Sequence, residues 1–163
     1  MGLKQTTPAT GVAGSASHIL FSEDDKQLIT SVKGIPDPNN GRGVVGALAV
    51  FDVGNNGALS EEPKVFAPPE NGLAPFGMAL VPGKKAAVVA DPNNGFDVID
   101  LETGDSANSK SVAVDIDNQQ ATGWASFSKK TGNFLLTDAV TGRVTEVKVE
   151  DDFKGSVVSV RPP

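Results

Sequence analysis

The sequence predicts an all-β fold: a partial β-propeller of three consecutive four-stranded antiparallel blades. Three observations predict it. A grammar of short apolar runs and polar turns recurs three times along the 163 residues. The phrase Asp-Pro-Asn-Asn-Gly stands at 37–41 and again at 91–95, at matching places in that grammar. No stretch of helical length carries a 3.6-residue apolar period, so helix content should be very low.

Each unit opens with a hairpin of two apolar runs around a polar turn. The runs are 18–22 and 27–32, then 78–82 and 86–90, then 124–128 and 133–137. A turn follows each hairpin, and then a third strand at 47–53, 96–101 and 143–149. In the second and third units this strand alternates apolar with polar residues, the period of a half-exposed strand. A fourth strand closes each unit at 64–67, 111–115 and 156–160. Four strands in about 40–50 residues, repeated, is the pattern of propeller blades. The division is one partial propeller domain over 1–163, with a lead-in at 1–15 and blades at 16–70, 71–120 and 121–163. In this alignment Ser22, Pro82 and Ser128 are equivalent, and so are His18, Met78 and Trp124.

Propellers have 4–8 blades, and three do not close a ring. Both terminal blades should therefore expose a broad apolar face, which predicts self-association or completion by further blades. Composition narrows the partners. Net charge is −6, and an acidic chain is a poor match for nucleic acid, whose phosphates require clustered Lys and Arg. The doublets Lys84-Lys85 and Lys129-Lys130 fall in predicted turns and read as solvated. There is no Cys, which removes disulfides and thiolate chemistry. No run of 18 apolar residues is present, so no helix should span a membrane. The N-terminus lacks the apolar stretch of a secretory signal, and the compartment is left open.

The phrases Gly2-Leu-Lys-Gln-Thr-Thr-Pro8, His18-Ile-Leu-Phe-Ser-Glu-Asp24 and Thr30-Ser-Val-Lys-Gly34 occur in this order. Phe76-Gly77, Val81-Pro-Gly83, Ala90-Asp91, Trp124-Ala125 and Thr137-Asp138 continue the series. In these phrases the chain resembles the fungal 3-carboxymuconate cyclase-like proteins, lactonase-type seven-bladed propellers. The resemblance covers essentially the whole sequence and implies an internal portion of a full-length member. That family holds a cycloisomerase that closes a muconate to a lactone. It also holds secreted or cell-surface proteins without a known reaction. The resemblance thus implies either a non-catalytic binding or surface protein acting through its rim loops, or a cycloisomerase or lactonase fragment. The binding reading leads, because the chain has a single histidine. Its expected ligands are a small carboxylate or a cell-surface molecule, and no cofactor is implied. An extracellular or cell-surface place follows only from the resemblance.

The candidate site residues are few. His18 begins an inner strand near the expected channel and could serve as a general base. The competing reading is a partly buried packing residue. Ser17 beside it points to the opposite face of the strand. Arg42 and Arg143 follow the turns before third strands, where a guanidinium could clamp a carboxylate. Arg42 lies in the insertion 33–46, which is the best candidate for a distinctive binding surface. Trp124 could stack on a ligand, although core packing is the stronger expectation. The Asp-Pro-Asn-Asn-Gly phrases lack the EF-hand spacing. They read as turns in which Asp accepts a backbone hydrogen bond, and no metal site is expected. The acidic runs 23–25, 61–62 and 150–152 fall in turns and read as solvated.

Overall fold

The computed structural model describes residues 14–35, 37, 39, 43–103 and 109–162. Among them are twelve strands and no helix. The first blade holds β1 (Ala16–Phe21), β2 (Gln27–Val32), β3 (Ala47–Asp52) and β4 (Lys64–Phe66). The second holds β5 (Met78–Leu80), β6 (Ala86–Asp91), β7 (Gly95–Asp100) and β8 (Val112–Asp115). The third holds β9 (Thr122–Phe127), β10 (Phe134–Asp138), β11 (Val144–Val149) and β12 (Gly155–Arg161). Each blade is an antiparallel meander in chain order, as the repeat predicts.

The register of the second blade differs from the sequence alignment by one residue. The first hairpins close through Ser22 N–H to Gln27 O, Val81 N–H to Ala86 O, and Ser128 N–H to Asn133 O, each 2.9 Å. Val81, not Pro82, is therefore the equivalent of Ser22 and Ser128. Proline has no N–H and cannot donate that bond. A one-residue slip turns every side chain to the other face. The equivalent of His18 and Trp124 is accordingly Gly77, and Met78 corresponds to Ile19 and Ala125.

The blades stack through two apolar joints. Ile29, Leu48, Val50 and Phe66 of blade one meet Met78, Ala87, Val89 and Ile99 of blade two. On the other side Val88, Phe96 and Val98 of blade two meet Phe134, Leu136 and Val147 of blade three. β6 divides its side chains by parity, with 86, 88 and 90 toward blade three and 87 and 89 toward blade one. Full burial of a Leu, Ile or Met in such a joint contributes about 1.5–3 kcal/mol.

All six residues of β6 and all six of β7 are buried. This corrects the half-exposed reading of residues 96–101. The alternation there is real, but a blade covers each face, and Asp97 is buried completely.

The two end faces differ. The outer face of blade one is apolar, with Ile19 59%, Phe21 52% and Val65 51% exposed. The outer face of blade three is mixed. Trp124 and Leu135 share it with Ser126, Thr137 and Glu146, partners in the β9–β10–β11 register.

Candidate functional site

One rim of the stack gathers the segments that enter each blade and the turns after β2, β6 and β10. Aspartates sew it together. At the end of β6, Asp91 Oδ1 accepts from Asn93 N–H (2.8 Å), closing the turn. Its Oδ2 accepts from Leu73 N–H (2.7 Å) and Ala74 N–H (2.8 Å) on the segment entering the same blade. Asp138 repeats the device at the end of β10. Its Oδ1 takes Val140 and Thr141 N–H, and its Oδ2 takes Gln120 N–H at 2.6 Å. Asp37 Oδ1 likewise accepts from Asn39 N–H at 2.8 Å. These carboxylates serve as turn acceptors, in agreement with the sequence reading. Burial alone would raise the Asp138 carboxyl, but the backbone N–H groups of Thr141, Gln120, Ala121 and Val140 outweigh it and bring it down to about 2.

A second acid lies behind Asp91. Asp97 Oδ1 accepts from Asn94 Nδ2 at 3.1 Å. Its Oδ2 faces the α-carbon of Gly72, where a β-carbon would lie 2.6 Å away. Burial first, and then the charge of Asp91, push Asp97 well above the usual carboxylate range. The neutral acid is favoured, as expected for carboxyls crowded in a dry joint. Sequence reasoning missed this group because an Asp in an alternating strand reads as solvent-facing.

His18 is part of the joint between blades one and two. Its Nδ1 accepts from Met78 N–H at 3.0 Å. The backbone N–H of His18 donates to Ser31 Oγ (3.1 Å), and Ser31 Oγ donates to the Phe76 carbonyl oxygen at 2.6 Å. Ser17 Oγ lies 2.8 Å from Ser31 Oγ and donates to the Pro75 carbonyl oxygen at 3.1 Å. The serines and the histidine thus tie β1 and β2 to the segment that enters blade two. The irregularity between Ala16 and His18 brings Ser17 into the same joint as His18, which corrects the opposite-face expectation.

The same rim carries Lys33, Phe76 and Trp124 in a row. Lys33 Nζ sits 4.2 Å from the Phe76 ring centroid. Phe76 meets Trp124 edge to face, with centroids 5.6 Å apart and an interplanar angle of 72°. Trp124 is 52% exposed, which corrects the core-packing expectation. It stands where blade two has Gly77, on the outer side of blade three, and no blade covers it. Among the described residues no carboxylate forms an ion pair with Lys33. Burial holds its amine below the ordinary lysine value. No local motif marked Lys33; only the fold brings it over Phe76.

Arg42 lies outside the described residues. The base of its insertion is visible as an antiparallel bridge, Ile35 to Val44, with both side chains exposed. Gly46 N–H anchors that base on the Leu73 carbonyl oxygen at 2.8 Å. Arg143 Nη1 donates to the Asn118 carbonyl oxygen at 3.2 Å on an exposed surface.

The opposite rim holds the hairpin turns. A cleft of about 670 Å³ opens there between blades one and two, over Ile29, Leu80 and Leu101. Its charged groups other than Lys85 are engaged in the scaffold. Glu23 Oε2 accepts from Gly83 N–H at 2.9 Å, linking the first two blades. Lys84 donates to Asp151 Oδ1 at 2.7 Å, linking the last two. Lys84 is therefore an inter-blade contact and not the freely solvated turn residue expected from its doublet. Asp24, Asp151 and Asp152 likewise meet lysines within their turns or across the joint.

No protein-family model matches the sequence, and no curated protein matches it. The fold is similar to that of a solved, functionally unknown protein from Desulfotomaculum acetoxidans DSM 771 (TM-score 0.58, 14% identity). The match covers 91% of this chain and 56% of that one. At that identity the likeness concerns the fold alone, and the chain spans little more than half of the protein it matches.

Proposed function

We propose that this chain is a non-catalytic binding module that acts through the rim carrying Lys33, Phe76 and Trp124. One observation carries the reading. A lysine without a carboxylate partner among the described residues lies over one aromatic ring, and that ring abuts a half-exposed tryptophan. A cation next to an exposed π-face suits a planar carboxylate, which gains charge from one side and stacking from the other. Ile35 and Val44 rise from the same rim and add apolar surface. The resemblance to carboxymuconate cyclase-like propellers agrees with a small unsaturated carboxylate as ligand. His18 contributes packing in this reading, because its Nδ1 is engaged by Met78 N–H.

The single tryptophan makes the test direct. Titration with cis,cis-muconate should change Trp124 fluorescence saturably, and Lys33→Met should weaken the effect at least tenfold. The ultraviolet absorbance of muconate should stay constant. Equal response in Lys33→Met sinks the proposed site. Loss of the muconate chromophore instead establishes the alternative, a cycloisomerase or lactonase.

A further inference from the structure

The corrected register defines two kinds of blade face. The forward face meets the next blade and the rear face meets the preceding one. Both joints in the chain pack a forward face on a rear face. The exposed face of blade one is a rear face. Its Ile19, Phe21 and Leu28 stand where blade two packs Met78, Leu80 and Ala87 and where blade three packs Ala125, Phe127 and Phe134. The pairing continues across the sheet from Phe21 to Leu28 to Phe51.

The exposed face of blade three is a forward face. Leu135, Thr137 and Val144 stand where Ile29, Ser31 and Leu48 form the joint of blade one. Thr137 keeps a hydroxyl at the position from which Ser31 donates to the carbonyl of the following blade. Glu146, farther out on that face, is held by Asn133 Nδ2 at 2.8 Å and Ser159 Oγ at 3.3 Å, so its charge is already hydrogen-bonded.

We infer that the apolar rear face of blade one docks on the forward face of blade three of a second copy of this chain. Two copies joined in this way at both ends close a ring of six blades. That count lies within the propeller range, and the symmetry is the closed two-fold kind that most soluble oligomers adopt. The intermolecular joints then pair a forward with a rear face, as the intramolecular ones do. Trp124, which stands at the position of His18 on the edge strand β9, lies at the border of the new joint beside Phe76.

Light scattering on the 163-residue chain tests this, with Phe21→Lys and Leu135→Lys as variants on the two faces. Both side chains are exposed in one copy, so the variants should fold, and circular dichroism checks that they do. The expected result is two copies for the parent and one copy for each variant alone. An equimolar mixture of the variants should regain two-copy particles, because one joint in each mixed pair carries no substitution. A single-copy parent overturns the inference and leaves the rear face to blades of a longer polypeptide. An open-ended series of sizes overturns ring closure. A Leu135→Lys variant that stays at two copies overturns the forward-on-rear joint in favour of rear-on-rear contact.

Discussion

The imidazole of His18 accepts a hydrogen bond from the backbone N–H of Met78, 3.0 Å across the joint between the first two blades. Met78 is buried, so His18→Ala leaves a buried donor without its partner. That loss costs about 1–3 kcal/mol. An asparagine places an amide oxygen near the position of Nδ1, so His18→Asn should recover part of it. Urea unfolding measures both variants, and muconate binding at the Lys33, Phe76 and Trp124 row should change little in either.

Gly77 is a close point of the second joint. A β-carbon there would lie 2.7 Å from both the Gly123 carbonyl oxygen and the Trp124 α-carbon. Gly77 N–H also donates to that Gly123 oxygen at 2.8 Å. Gly77→Ala must push blade three away, which overpacking data put at about 1–3 kcal/mol. The expected readouts are a lower melting temperature and a red-shifted or more quenchable Trp124 emission.

Asp138 makes stability fall in acid. Its folded value of about 2 lies below the ordinary 3.8. A depressed carboxyl contributes stability that is present above the unfolded value and is lost as pH falls through the folded one. The window is therefore about pH 4 down to pH 2. Asp138→Asn should be about 2 kcal/mol less stable than the parent at pH 6, and the gap should close across that window. A gap that persists unchanged at pH 2 would exclude this account.

Asp97 acts in the opposite sense. Its raised carboxyl favours folding fully below the unfolded value, near pH 4, and the contribution is lost as pH rises through the folded value. Asp97→Asn keeps the acceptor for Asn94 Nδ2 and removes the ionisable proton. The variant should gain on the parent as pH rises above the ordinary carboxylate value of 3.8, by up to about 1.4 kcal/mol per pH unit. Chemical denaturation at several pH values gives the slope, and a flat difference would show that Asp97 is not held neutral.

The strands were legible because a blade is built from local signals: apolar runs, Asn-Gly turns and hairpin spacing. All twelve strands fall where those signals place them. Faces were harder, because a face depends on register. The missing N–H of Pro82 was the clue in the sequence that moved blade two by one residue, and with it Met78 and Gly77. Burial depended on neighbours far along the chain. Asp97 and Trp124 each reversed their expected environment because one is covered by a blade and the other is not. The Lys33 row was invisible for the same reason, since Phe76 and Trp124 reach it only through the stacking of three blades.

The complete burial of β6 and β7 has a consequence for how the chain opens. In repeat arrays, stability is roughly a sum of unit and interface contributions, and the middle blade takes part in both interfaces. Peeling off either neighbour would expose a whole face of it to water, so partial opening is costly. The amide hydrogens of Val88 and Val98 should therefore exchange only when the entire chain unfolds, while those of β4 and β12 exchange through local fraying. Blade two is the keystone of a single cooperative unit, and mutational tolerance should be lowest there and rise toward both ends.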